Sequence, residues 1–158
     1  MSRGIDHIVH AVRDLGAAAA FYRALGFQVR GPNRHPPEWG TENYVVQLPG
    51  TYIELLTVSD ERSIAPHVFS FGAFNRGYLA RREGLAMLAL RGRGADDRDE
   101  FRAAGIGDFD LYELLREAKR DDGSTVRLAF TLAFAVNARA PFHAAPITTP
   151  IEASSSSA

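Results

Sequence analysis

The sequence contains no cysteine, which excludes disulfides, thiolate metal sites and cysteine nucleophiles and leaves nothing that requires an oxidising compartment. It has no apolar run long enough to cross a bilayer, and the stretch from Met1 to His7 lacks the basic region and apolar core of a signal peptide. A cytoplasmic location with no membrane partner is therefore expected. An excess of one charge is also missing: the formal net charge is −1, with arginine and acidic residues mixed along the chain. Such a surface gives no electrostatic reason to bind nucleic acid. No glycine-rich phosphate loop, nucleophile elbow or His-Glu-x-x-His helix is present, which removes several common enzyme classes. A small-molecule ligand is the expected partner.

What is there is a globular balance, with 46% hydrophobic and 23% charged residues over 158 positions, enough to bury a sizeable core in one domain. Ile5 to Val12 reads as a strand. Asp14 follows as a helix N-cap, then Leu15, Ala18, Phe21, Tyr22 and Leu25 at helical spacing, with Gly26 placed to end the helix. Phe27 to Arg30 begins a second strand. From Gly31 to Gly40 the prolines and charges predict a loop that leaves and re-enters the sheet, and loops of that kind often carry a binding site. Thr41 to Leu48 and Thr51 to Val58, separated by Pro49-Gly50, predict a hairpin.

Residues 59–84 form a connector with a short helix, in which Phe69, Phe71, Phe74 and Tyr78 read as core rather than as a ligand cage. The pattern then repeats: a strand from Leu85 to Leu90, a helix over Asp96 to Gly105, and strands at Tyr112 to Lys119 and Thr125 to Val136. Phe130 and Phe134 read as packing positions. The arginines from Arg76 to Arg93 are followed at once by acidic residues, a solvated surface. The expected organisation is a first βαβββ module over 1–58, the connector over 59–84, a second, degenerate module over 85–136, and an irregular, mobile tail over 137–158 that ends in low-complexity serine.

The combination Ile5-Asp6-His7-Ile8-Val9, Asp14-Leu15 and Phe21-Tyr22-Arg23-Ala24-Leu25-Gly26-Phe27 resembles the opening of glyoxalase-like proteins of the vicinal oxygen chelate superfamily. Trp39-Gly40-Thr41-Glu42-Asn43 and Gly50 to Leu56 resemble the third and fourth strands of the same module. The likeness covers about the first third of the chain, and beyond residue 84 it rests on element order. It implies an α+β fold in which paired βαβββ modules form an open, curled sheet around a cavity, the second module here being incomplete. The superfamily includes lyases, isomerases, dioxygenases and proteins that sequester a drug, such as bleomycin-resistance proteins, so the likeness specifies a fold more closely than a reaction.

The family pattern places metal ligands at His7 and Glu54, and Glu54 is also the catalytic candidate. His7 is in phase with Val9 and Ala11, and Glu54 with Tyr52 and Leu56, so both can face one hollow. An imidazole and a carboxylate suit Zn²⁺, Fe²⁺, Mn²⁺ or Ni²⁺ and leave positions open for substrate oxygens. The strand Leu85 to Leu90 has no His, Gln or Glu, so missing ligands must come from elsewhere in the second module, from His35, or from a partner chain in a homodimer. His35 is a substrate or metal candidate, although a loop histidine is more commonly exposed and without a role. His10 is in phase with Ile8 and Val12 and is expected to pack toward the helix, while His67, His143, Glu113 and Glu117 are ambiguous. Asn43 and Gln47, in phase on the third strand, together with Trp39 and Tyr52, are candidates for orienting a substrate. The expected function is a metal-dependent enzyme of lyase or dioxygenase type on a small oxygen-bearing molecule. The alternative is a metal-free small-molecule binding protein.

Overall fold

The computed structural model describes residues 4–61, 71–93, 95–105, 107–108, 112–119, 123, 125–132, 135–136, 143–147 and 151–152. Its first module runs β1 (Ile5–Ala11), α1 (Leu15–Ala24), β2 (Val29–Arg34), a 3₁₀ turn (Pro37–Trp39), β3 (Thr41–Leu48) and β4 (Thr51–Val58). After α2 (Phe71–Leu79) come β5 (Gly84–Arg91), α3 (Ala95–Ala103), β6 (Gly107–Asp108), β7 (Tyr112–Lys119), β8 (Thr125–Leu132), β9 (Ala135–Val136), β10 (His143–Ile147) and β11 (Ile151–Glu152). The main path across the sheet is β2-β3-β4-β1-β5-β10-β8-β11.

Pairing shows the two halves to be built alike. β1 lies parallel to β4, and β5 lies parallel to β10, while β1 and β5 join the halves antiparallel. The segment expected to be an irregular tail thus contributes a strand, and β10 holds beside β5 the place that β4 holds beside β1. His-Ala-Ala-Pro-Ile alternates too weakly to announce a strand. The unpaired backbone along β5 supplies the pairing that local propensity does not.

Alternation sorts the side chains onto two faces. Even-numbered positions of β1 look toward α1, and Val12, Leu15, Ala19, Val46 and Leu55 close a core there. The helix starts where the Asp14 side chain accepts from Ala17 N at 2.8 Å, and it stops where Gly26 takes φ +88° and Phe27 N donates back to Tyr22 O. Odd-numbered positions look the other way. Val9 and Ala11 pack with Leu56, Met87, Trp39 and the α2 residues Phe71, Tyr78 and Leu79. Leu55 and Leu56, adjacent on β4 and both fully buried, serve opposite cores, each stabilising the fold by roughly 1.5–3 kcal/mol.

Two local devices place what matters for the site. The C-terminal end of α2 is held by Arg13, whose Nε and Nη2 donate to Leu79 O at 3.1 and 2.6 Å, and Tyr78 Oη donates to Leu85 O at 2.9 Å. The second device lies where a loop was expected from Gly31. β2 instead continues to Arg34 with a register shift between Arg30 and Asn33. Pro32 falls within that shift, where the ladder to β3 is interrupted, which is why proline is tolerated there.

Candidate metal centre

The site lies on the inner face and spans β1, β4 and β3, with Glu54 on the strand between His7 and Asn43. His7 and Glu54 are both 6% exposed, and His7 Nε2 stands 3.4 Å from Glu54 Oε2. Their convergence follows from the alternation expected of the two strands. His35 joins them: its side chain is 9% exposed, with Nε2 3.2 Å from Glu54 Oε1. The buried and engaged His35 differs from the exposed loop histidine that is the commoner case. The reason is the tight return of the chain, in which Trp39 N donates to Pro36 O, Gly40 takes φ +59°, and His35 N donates to Thr41 O at 3.1 Å. The folded-back turn lays the imidazole over β3.

Each imidazole is oriented from behind. His7 Nδ1 lies 2.7 Å from Asp6 Oδ1, and His35 Nδ1 lies 2.8 Å from Thr41 Oγ1. A carboxylate only accepts, so His7 Nδ1 carries a proton and donates. Asn43 decides the second case. Its Oδ1 accepts from Asn33 Nδ2 at 3.0 Å, while its Nδ2 donates to Glu54 Oε1 and lies 3.0 Å from His35 Nε2. With one amide hydrogen directed to each, His35 Nε2 is the acceptor, its Nδ1 is the protonated nitrogen, and Thr41 Oγ1 accepts. The tautomers are thus assigned from the network.

Both Nε2 lone pairs then face a carboxylate, an arrangement that repels unless a positive charge stands between them. A proton supplies it at His7. Burial pulls this imidazole's pKa down, but the hydrogen bonds and charges of Asp6 and Glu54 outweigh that and raise it from 6.5 to about 9. For Glu54, burial pushes the pKa up and is outweighed by hydrogen bonds and charge from His35 and His7 in their protonated forms, which hold the carboxyl well below the usual range. A divalent cation would supply the charge equally well, since Asp6 and Glu54 bring two negative charges and neutral imidazoles none. Donation from Nδ1 to an oxygen with Nε2 turned inward is the habit of metal-binding histidines. The donor set of two nitrogens and a carboxylate therefore fits such an ion in number and kind. In the arrangement observed, no three or more His, Cys, Asp or Glu among the described residues form a ready cage; His7 and His35 approach different oxygens of Glu54.

The remaining candidates separate clearly. Tyr52 stacks on His7 with ring centroids 4.4 Å apart and planes 13° apart. Trp39 is buried 5.4 Å from the His35 ring and 4.8 Å from Phe71, and these two aromatic side chains roof the imidazole. Asn43 is committed to holding Glu54. Gln47, in phase with Asn43, lies exposed beside the hairpin turn and opposite Tyr52, away from the cluster. His10 packs toward α1 as expected, its Nδ1 3.4 Å from Tyr22 Oη. Phe71, Phe74 and Tyr78 belong to the core. His143 lies opposite Met87 in the β10–β5 register. The side chains of His143, Glu113, Glu117 and Phe130, and residues His67, Phe69 and Phe134 altogether, lie outside the described residues. Sequence reasoning missed Asp6, whose carboxylate next to His7 was visible but unassigned, and Thr41, whose role depends on the turn.

A family model described as a glyoxalase-like domain matches residues 5–156. Similar solved structures include methylmalonyl-CoA epimerase from Mycobacterium tuberculosis, 22% identical over 92% of this chain and 87% of that one, with a TM-score of 0.62. A variant of Streptomyces coelicolor methylmalonyl-CoA epimerase in complex with 2-nitronate-propionyl-CoA is 26% identical over 94% and 99% of the two chains, with a TM-score of 0.59. A hypothetical protein from Bacillus halodurans is 20% identical over 97% and 99%, with a TM-score of 0.63. No match is found among curated proteins.

Proposed function

Since the chain belongs to the glyoxalase-like domain family of the vicinal oxygen chelate superfamily, we propose that it is a metal-dependent enzyme acting on a small, oxygen-bearing organic molecule. The observation that carries this reading is that His7 and His35 both turn Nε2 to the Glu54 carboxylate while Nδ1 is occupied from behind. His7, His35 and Glu54 would hold the ion. Asp6 and Thr41 fix the ring orientations, Asn43 steadies the carboxylate, and Trp39 and Phe71 exclude water above His35. When bound, the ion would supply Lewis acidity toward a substrate oxygen.

The lyase or dioxygenase type stays the expected reaction class. The similar structures bring an epimerase to the comparison, so methylmalonyl-CoA belongs among the first compounds to assay. The decisive experiment is elemental analysis of protein purified without added metal. About one divalent ion per chain is expected, lost in His7→Ala, His35→Ala and Glu54→Ala. Wild-type protein that neither retains nor takes up a divalent ion would overturn the proposal.

A second reading is favoured by the apolar opposite flank, where β5 places Met87 opposite Val9 and Ala89 opposite His7. In that reading the cluster is held together by protons, and the hollow sequesters a small molecule without turnover. Ligand-dependent thermal stabilisation that survives EDTA would select it.

A further inference from the structure

Both ends of the Asn43 side chain are engaged. Oδ1 accepts from Asn33 Nδ2 at 3.0 Å, which fixes the amide's orientation, and Nδ2 donates to Glu54 Oε1 and, at 3.0 Å, to His35 Nε2. The residue is 4% exposed, and its backbone is paired on both sides, opposite Asn33 of β2 and Leu56 of β4. The amide is therefore confined beside the two groups it contacts.

The two hydrogens differ in what they block. A carboxylate oxygen has two lone pairs, so Glu54 Oε1 can keep the Asn43 N–H and still offer a pair to a cation. A neutral imidazole with its proton on Nδ1 has a single lone pair, on Nε2, and at His35 Asn43 fills it. The other ring nitrogen is occupied too, since Nδ1 lies 2.8 Å from Thr41 Oγ1. His35 can thus become a ligand only by losing its bond from Asn43.

Buried lone pairs left unfilled are costly, so the metal-free cluster needs something at each one. At His7 Nε2 that filler is a proton, which departs to solvent. At His35 Nε2 it is part of β3, which has to be displaced and stays nearby.

We infer that Asn43 is a placeholder for the ion: it fills the His35 Nε2 lone pair in the metal-free protein, surrenders it when His35 becomes a ligand, and keeps its other hydrogen on Glu54 throughout. The inference rests on the proposed metal site and assigns Asn43 there as a positioning residue, one that orders two ligands before capture and releases one of them on capture.

The test uses the full chain with isotope-labelled asparagine side-chain amides, Zn²⁺ as a diamagnetic probe, and Asn43→Ala to identify the Asn43 signals by their loss. In metal-free protein both Asn43 amide hydrogens should resonate downfield of a free amide. At full zinc loading one of them should move upfield and exchange with water roughly tenfold faster, while the other stays where it was. A strut that merely supports the fold would show neither change. Both hydrogens unmoved at full loading, both released, or one already free before zinc is added would overturn the placeholder role. If Asn43→Ala does not fold, the signals are identified in the wild type by their proximity to the His35 ring. Zinc content of the same samples separates the two readings: bound zinc with an unmoved amide sinks this inference alone, whereas protein that takes up no zinc sinks the metal centre and the placeholder with it.

Discussion

His7 and Glu54 meet diagonally rather than face to face. In the parallel pairing of β1 with β4, the residue opposite His7 is Tyr52 and the residue opposite Glu54 is Val9, yet Nε2 reaches Oε2 at 3.4 Å. The direct neighbour serves as a backstop, since the Tyr52 ring stacks on the imidazole and leaves it one way to lean. Asp6 then holds Nδ1 from the adjacent position. A histidine constrained on two sides is pre-organised before any ligand arrives.

The two side chains act as a unit, and their effects on stability should not add. Removing either partner of a buried pair strands the other's charge, which costs on the order of 3 kcal/mol. His7→Ala and Glu54→Ala are each expected to lower the metal-free unfolding free energy by that order, and the double variant by clearly less than the sum. Urea unfolding of the four proteins in EDTA measures the coupling. Strict additivity would show that the two groups do not interact.

The same pair makes stability and metal affinity respond to pH in opposite senses. The folded state raises the pKa of His7 from 6.5 to about 9, so the metal-free fold gains from the imidazolium fully below about pH 6.5 and loses that gain as pH rises through about 9. Glu54 is depressed from its value of 4.5, so its contribution is present above that pH and is lost as pH falls below it. EDTA-treated protein should therefore be most stable between about pH 4.5 and 6.5 and weaken toward pH 9. Divalent-ion affinity should climb over that same upper range, because the ion must displace the His7 proton. Parallel melting curves and metal titrations at several pH values check both slopes, and an affinity that falls as pH rises would contradict the ligand assignment.

Arg13 is expected to secure the roof of the site from its far end. Its guanidinium caps α2 at Leu79 O, and Glu83 pairs with it at 3.3 Å while accepting from Arg13 N. Much of the side chain is exposed, which limits the ion pair's worth, but the last-turn carbonyl of α2 would lose its partner. Arg13→Ala should cost about 1 kcal/mol and speed amide hydrogen exchange in 71–79 more than in β1 or β4. Uniform acceleration across the chain would argue against a local anchor.

The sequence was most legible where period and punctuation agreed. Asp14 and Gly26 bracket α1, Pro49-Gly50 turns the hairpin, and the alternation of β1 and β4 brought His7 and Glu54 to one face. What stayed hidden depended on pairing between distant strands. β10 exists because β5 offers it an edge, which no property of its own five residues declares. His35 was ambiguous for a similar reason: proline and charge mark an irregular segment, but not whether it swings into solvent or folds back onto β3. Thr41 and Asn43, eight residues or fewer away, decide that by hydrogen bonds to its two ring nitrogens.

The fold-back can be tested at one atom. Gly31 takes φ +127°, in the region that disfavours side chains, and a Cβ added there would stand 2.9 Å from both Asn43 O and Tyr44 Cδ1. The backbone oxygen cannot step aside as a flexible side chain could, so Gly31→Ala must push β2 away from β3 at the point where Asn33 and Asn43 pair. Asn43 also orders His35 and Glu54, so the strain should travel to the site. The variant is expected to lose roughly 2–4 kcal/mol of stability, and at temperatures where it remains folded, to bind a divalent ion more weakly by about tenfold. Arg34→Ala, further along the same strand and with its side chain exposed, tests β2 without adding a Cβ at the crowded position, and it should leave metal affinity near that of the wild type. Equal losses of affinity in Gly31→Ala and Arg34→Ala would show that β2 tolerates no change at all, and would remove the specific link between the Gly31 approach and the placement of His35.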